Sequence, residues 1–222
     1  MKQLVVAIDG PSGSGKSSVS KEAARRLGAA YLDTGAMYRA VTWHCLDAGT
    51  DLSDADAVAA AVRAADLSIS TDPGVEEIRI HGTDVTTLIR EPFVTEAVSA
   101  VATNLQARAE LVRRQRELIA AHPRVVAEGR DITTVVAPDA QARILLTASE
   151  EARLRRRGIQ LGGTQSSTQL HRQVLTRDAK DATVTNFTTA ADGVVTLDSS
   201  ELDFEQTVQA VLDIVSGRSG QA

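Results

Sequence analysis

The chain has 222 residues, 43% of them hydrophobic and 24% charged, which bounds it to one domain with lobes, or at most two small ones, able to bury a sizeable core. A net charge of −5 and an aromatic content of 3% argue against an overall basic field for nucleic acid and against stacking platforms for single strands. Cys45 is the only cysteine, which excludes an intrachain disulfide and a cysteine-based metal site, and core filling beside Val41 and Leu46 is its expected role.

The first element is an apolar run, Leu4 to Ile8, that reads as a buried strand. It leads into Gly10-Pro-Ser-Gly-Ser-Gly15-Lys16-Ser17, which fits G-x-x-x-x-G-K-[ST], and a helical stretch follows from Ser17 to Leu27. A Gly/Ser-rich loop can be no more than a flexible turn, but a strand before it and a helix after it are the context the phosphate-binding loop requires. Its glycines let successive N–H groups point inward at phosphate oxygens, and the helix N-terminus adds partial positive charge there. Gly10, Ser12, Gly13, Ser14, Gly15, Lys16, Ser17 and Ser18 are therefore the candidate ATP-binding residues, with Lys16 reaching the outer phosphates and the Ser17 hydroxyl holding Mg²⁺. This opening has no signal-peptide layout and no apolar run approaches the roughly 20 residues of a membrane span, so a cytoplasmic protein is expected.

Four further short apolar runs read as buried strands: Ala30–Leu32, Arg124–Ala127, Arg143–Thr147 and Gly193–Leu197. Strands alternating with helical patterns predict an α/β fold with a parallel sheet and helices on both faces, its ligands at the carboxyl ends of the strands. Four strand ends carry the chemistry: Asp9-Gly10, Asp33-Thr34-Gly35, Glu128-Gly129-Arg130-Asp131 and Asp198-Ser199-Ser200. Between the second and third strands, residues 54–65 read as a helix and residues 66–90 as a small antiparallel meander. A helical period returns from Glu91 to Ala121. Residues 38–121 are thus predicted to form an inserted substrate lobe, a packing embellishment being the alternative.

Ser149-Glu-Glu-Ala opens another helix with Ser149 as its N-cap, and Arg153, Arg155, Arg156 and Arg157 crowd its middle. Gly158–Ser167 reads as a mobile tip and His171–Asp181 as a second helix carrying Arg177, Asp178 and Asp181. Helix, tip and basic helix make the pattern of a closing lid, and a solvated helical hairpin would look the same. One helix cannot aim Arg153, Arg156 and Arg157 all inward, so two of them are expected to face solvent. The last helix, Phe204–Val215, is amphipathic and should pack on the sheet, and Gly217–Ala222 reads as a frayed tail. The four histidines show no paired metal spacing.

A phosphate-binding loop alone names no reaction. Five segments together are more specific: Ile8-Asp-Gly-Pro-Ser-Gly-Ser-Gly-Lys-Ser, Leu32-Asp-Thr-Gly-Ala-Met-Tyr-Arg39, Arg113-Arg-Gln-Arg116, Glu128-Gly-Arg-Asp131 and Arg177-Asp-Ala-Lys-Asp181. In order and spacing, along essentially the entire chain, they resemble the bacterial cytidylate (CMP) kinase family. That resemblance implies the nucleoside monophosphate kinase fold: a five-stranded parallel sheet flanked by helices, an inserted CMP-binding lobe and a helical lid. The implied division is a core of residues 1–37, 122–150 and 185–222, a CMP-binding lobe of 38–121 and a lid of 151–184. The implied activity is transfer of the γ-phosphoryl group of MgATP to CMP or dCMP, in a monomer. Carried over by motif, Thr34, Tyr38, Arg39, Arg108 and Arg130 would surround the CMP phosphate and base. Ser99, Arg108 and Asp131 would read the cytosine edge, and Arg177 and Asp181 would meet the sugar. Lys16, Asp33, Arg130 and Arg157 are the candidate catalytic residues, Arg157 also on the ATP side. One departure stands out: many members carry an arginine three positions beyond the Asp of Arg-Asp-x-x-Asp, and here that position is Val184.

Several of these roles also follow from the chemistry. Two polyanions must be brought together, and the acceptor phosphate is already ionised near neutral pH, so positioning and charge stabilisation dominate. The N4 amino group of cytosine donates where uracil presents an acceptor, so a carboxylate such as Asp131 would accept from one and repel the other. A salt bridge to an adjacent arginine is the plainer alternative for Asp131. Arg177 and Asp181, four apart on one helix face, could likewise pair with each other. A kinase for another small acceptor, or a nucleotide-binding module without turnover, would share the phosphate-binding loop.

Overall fold

The computed structural model describes residues 3–160, 178–179 and 182–217, the side chains of Arg157 and Gln160 excepted. Its elements in chain order are β1 (Leu4–Asp9), α1 (Lys16–Leu27), β2 (Ala30–Asp33), α2 (Thr34–Asp47), α3 (Ala55–Ala64), β3 (Leu67–Ile69), β4 (Ile78–Ile80), β5 (Thr83–Asp84), α4 (Pro92–Ala102), α5 (Leu105–Ala120), β6 (Arg124–Gly129), β7 (Ala142–Thr147), α6 (Glu150–Gln160), β8 (Val195–Asp198) and α7 (Phe204–Val215).

Five strands form one sheet in the order β2-β6-β1-β7-β8, every neighbouring pair parallel. β1 lies at the centre, in register with β6 from Leu4–Arg124 to Asp9–Gly129. Successive side chains alternate between two faces. Val5 and Ala7 enter the core shared with α2, α4 and α5, whereas Val6 and Ile8 enter the core shared with α1 and α7. Because both faces are covered, β1 is a continuous apolar run rather than an alternating one. The parallel arrangement puts Asp9, Asp33 and Gly129 at the same rim, where the loops that follow can converge.

The expected meander is present: β3, β4 and β5 form a three-stranded antiparallel sheet. Ile78 and Ile80 are buried against the α2 core while Arg79 between them points outward. The helical stretch after it is two helices rather than one. Thr103 ends α4, and the Asn104 side chain caps α5 by accepting from the amides of Gln106 and Ala107 at 3.1 and 3.0 Å. Ser149 opens α6 as expected, its hydroxyl accepting from the Ala152 amide at 3.2 Å. The predicted tip starts later than expected, because α6 continues through Gly158 to Gln160. Of the second lid helix, only residues 178–179 lie within the described part, and they are helical. α7 packs on α1 and on β7 and β8, opened by a reciprocal cap between Asp203 and Gln206. Cys45 is buried in the α2 core with Val41. No helix among the described residues is long and apolar enough to cross a membrane.

Candidate active site

The loop after β1 turns tightly against its neighbours. A Cβ on Gly10 would come within 2.3 Å of the Leu146 carbonyl oxygen of β7, so only glycine fits there. Gly13 has a φ of 79°, and a Cβ on it would meet the Arg153 carbonyl oxygen at 2.7 Å. These two constraints seat the loop between β7 and α6 and aim residues 12–18 into a cavity at the sheet rim. The first turn of α1 carries no acidic side chain to cancel the positive end of the helix. Ser14 Oγ is buried without a hydrogen-bond partner among the described residues.

Lys16 and Ser17 both face Glu128, the penultimate residue of β6. Ser17 Oγ donates to Glu128 Oε1 at 2.5 Å, and Lys16 Nζ stands 4.0 Å from Glu128 Oε2 and 3.5 Å from the Pro11 carbonyl oxygen. Burial, reinforced by the charge of Asp33, pushes the Glu128 carboxyl up to about 7, although Lys16, Ser17 and Arg39 pull it down. Asp33 caps α2 by accepting from the Ala36 amide at 2.9 Å. Thr34 Oγ1 donates to the Glu128 carbonyl oxygen at 2.8 Å, holding the start of α2 against the end of β6.

The turn after Gly129 carries Arg130 and Asp131. It is pinned from β1: the buried carboxylate of Asp9 accepts from the Ile132 amide at 2.8 Å and from the Thr133 amide and hydroxyl at 2.8 and 2.6 Å. Asp131 forms an ion pair with Arg108 of α5, whose other contact is the Ala102 carbonyl oxygen at 3.1 Å. Burial pushes the Asp131 carboxyl up, and Arg108 opposes the rise. Arg130 pairs with Asp178 at 2.7 Å and lies over the ring of Phe187, 4.4 Å from its centroid. Tyr38 and Arg39 on α2 complete this side, and all of Arg39, Arg108, Arg130 and Asp131 line the same cavity as Lys16 and Ser17. Its volume is about 970 Å³, at the upper end of the range for small-molecule sites.

One expectation needs correction, and two candidates stand off the cavity wall. Arg153 and Arg156 do not face solvent. Arg153 donates to the Ser12 carbonyl oxygen at 3.1 Å; Arg156 donates to the Ser14 carbonyl oxygen at 3.1 Å and to the Ser199 carbonyl oxygen at 2.6 Å. The first turns of α6 pack against the phosphate-binding loop, so residues three apart both point at it. Ser99 is half-buried on α4 and does not line the cavity; Thr95, Val98 and Ala102 form the wall there. Gly10 also stays out of the wall and acts through its packing on β7. Arg177, Asp181 and the side chain of Arg157 lie outside the described residues, and Val184 lines the cavity.

Asp9, Glu128, Asp178 and Phe187 were not among the candidate site residues. Asp9 and Glu128 stand at strand ends on the ligand rim, which was a usable signal. Asp178 lies within the Arg177–Asp181 segment, but nothing local points to its partners Arg130 and Ser12, which are distant in sequence, and Phe187, beneath Arg130, carries no signal.

A sequence profile described as Cytidylate kinase matches residues 6–217. The chain is 48% identical over 221 residues to a cytidylate kinase of Rhodococcus opacus (strain B4), covering 98% of this chain and 96% of that protein. It is 46% identical over 214 residues to a cytidylate kinase of Cutibacterium acnes, covering 96% of each. Among solved structures, a gluconokinase from Sinorhizobium meliloti 1021 superposes with a TM-score of 0.52 at 16% identity, covering 99% of this chain and 95% of that one, a likeness of fold alone.

Proposed function

The chain belongs to the cytidylate kinase family and phosphorylates CMP with ATP, and we propose which of its residues carry the transfer. The observation that supports this assignment best is a shared wall: Lys16 and Ser17 of the phosphate-binding loop line one cavity with Arg39, Arg108, Arg130 and Asp131. ATP lies along the loop, held by backbone amides of residues 13 and 15–18 and by Lys16, the Ser12 amide being given to Asp178 and the Ser14 amide to the Pro11 carbonyl oxygen. CMP enters from the α2–α5 side. Arg39 and Arg130 hold its phosphate, with Thr34 and Tyr38 beside them, and Asp131 with Arg108 meets the cytosine edge.

An oxygen of the CMP phosphate attacks the γ-phosphorus of ATP, and the bond from that phosphorus to the bridging oxygen of ADP breaks, so CDP and ADP result without a separate general base. What the chain supplies is alignment and positive charge around the transferring group. Lys16 sits on the donor side and Arg130 on the acceptor side. Asp33 acts indirectly, by capping α2 and adding its charge to that felt by Glu128.

Ser17 Oγ and the Glu128 carboxylate, 2.5 Å apart beside the loop, are the hard oxygen donors that suit Mg²⁺. When bound there with ATP, that ion would offset the charge of the phosphate oxygens. On this assignment residues 38–121 form the acceptor lobe and 151–184 the lid, with Arg157, Arg177 and Asp181 completing the contacts to ATP and sugar. dCMP is accepted as well, and the chain acts as a cytoplasmic monomer.

ADP release, measured over a panel of acceptors with ATP and Mg²⁺, tests this. CMP and dCMP should be the best acceptors. Another acceptor used preferentially, or nucleotide binding without acceptor-dependent turnover, would overturn it.

A further inference from the structure

We infer that Asp178, assisted by Phe187, is a positioning residue that fixes the orientation of Arg130 relative to the phosphate-binding loop. This rests on Arg130 meeting the acceptor phosphate, as proposed above. Asp178 Oδ1 accepts from the Ser12 amide at 3.1 Å and from Arg130 Nη1 at 2.7 Å, and Oδ2 pairs with Arg153. Arg153 in turn donates to the Ser12 carbonyl oxygen. One carboxylate therefore joins the rim of the donor-side loop, the helix that braces that loop and the acceptor-side guanidinium.

The three charged side chains are only 10–13% exposed, so their interactions are weakly screened. Burial alone would raise the Asp178 pKa; Arg130, Arg153 and the Ser12 amide outweigh it and hold the carboxyl below its ordinary range. Asp178 is thus ionised at neutral pH and keeps its grip on both arginines.

A second constraint comes from an aromatic ring. Phe187 is 1% exposed, and its ring supports the guanidinium of Arg130 at 4.4 Å. The carboxylate holds one guanidinium nitrogen and the ring lies against the guanidinium carbon. An arginine held this way reaches the developing charge without first giving up its rotational freedom, and misplacement by about 1 Å can cost on the order of 100-fold in rate. A buried strut that only stabilises the fold would also show these contacts, but would not couple specifically to Arg130 in turnover.

The test is a kinetic cycle on the full chain with ATP, Mg²⁺ and CMP, using Asp178→Asn, Asp178→Glu, Arg130→Lys, Phe187→Leu and the double variants Asp178→Asn/Arg130→Lys and Phe187→Leu/Arg130→Lys. Asp178→Asn should lower kcat about tenfold to hundredfold with a much smaller change in the KM for CMP, and Asp178→Glu should recover part of the loss. Each double variant should be little worse than Arg130→Lys alone, because the removed group acts through that arginine. If Asp178→Asn does not fold, the Phe187→Leu cycle reads the same coupling. Losses that multiply in the double variants, or an unchanged kcat in Asp178→Asn, would overturn the inference while Arg130 kept its role. So would tighter CMP binding with no loss of kcat, which would mark Asp178 as a competitor for the phosphate. An unchanged kcat and KM in Arg130→Lys would overturn both the inference and the acceptor-side assignment beneath it.

Discussion

Asp131 and Arg108 meet as an ion pair inside the cavity, the carboxylate arriving on the turn after β6 and the guanidinium on the first turn of α5. Asp131 is thus in a salt bridge, but with Arg108 of α5 and not with the adjacent arginine expected from sequence, and the reading of the base by this pair is the proposal. Their side chains are 7% and 14% exposed, so a base edge docking there is read in a poorly solvated recess.

Base selection should depend on that carboxylate. Asp131→Ala is expected to lower kcat/KM for CMP by about 1–3 kcal/mol more than for UMP, about one to two orders of magnitude, because an N4 donor loses its partner while O4 loses a repulsion. Paired kinetics on the two nucleotides check this, and equal losses would contradict it.

Asp9 holds the turn that carries Arg130 and Asp131 through three hydrogen bonds. Asp9→Ala strands the buried amides of Ile132 and Thr133, so unfolding in urea should show a loss of about 1–3 kcal/mol or more. The KM for CMP should rise together with it. A stability within about 0.5 kcal/mol of the parent would show that the turn stands without Asp9.

The five core strands were legible because each is a short apolar run, four of them ended by a glycine or acidic signal, and because both faces of the central ones are buried. The phosphate-binding loop and the strand-end residues Arg130 and Asp131 were legible for the same reason: local sequence places them at the rim. What Arg153 and Arg156 do was not, since it depends on α6 packing against a loop some 140 residues earlier, at separations of 141 and 142. Asp178 acts across 166 residues on Ser12, and no local pattern marks such a contact. The break at Asn104 could have been read from its capping chemistry, but the apolar period runs through it.

Glu128 gives a pH signature with a definite sign. Its carboxyl is raised from 4.5 to about 7 in the folded chain, by burial first and by Asp33 second. Across that window the folded chain holds a proton the unfolded chain has released, so stability falls as pH rises. Ligand-free Glu128→Gln should lose part of this decline and be no less stable than the parent at about pH 8, while its kcat falls because Ser17 and the metal lose a charged partner. Asp9 and Asp131 are also raised by burial, so some slope remains. Thermal melts across the window decide it; an unaltered pH dependence would contradict the buried, protonating Glu128.

Lys16→Ala should keep the fold and weaken ATP binding about tenfold to hundredfold, the loss expected of one charge-assisted contact to phosphate. Calorimetric titration with ATP measures it, and unchanged affinity would remove Lys16 from the donor site.

The central claim is that ATP and CMP share one cavity at the sheet rim, close enough for direct transfer between them. An inhibitor that joins adenosine and cytidine through a polyphosphate chain tests this most directly. It should compete with both ATP and CMP and bind more tightly than either nucleotide alone. Competition against only one of the two would contradict a shared cavity.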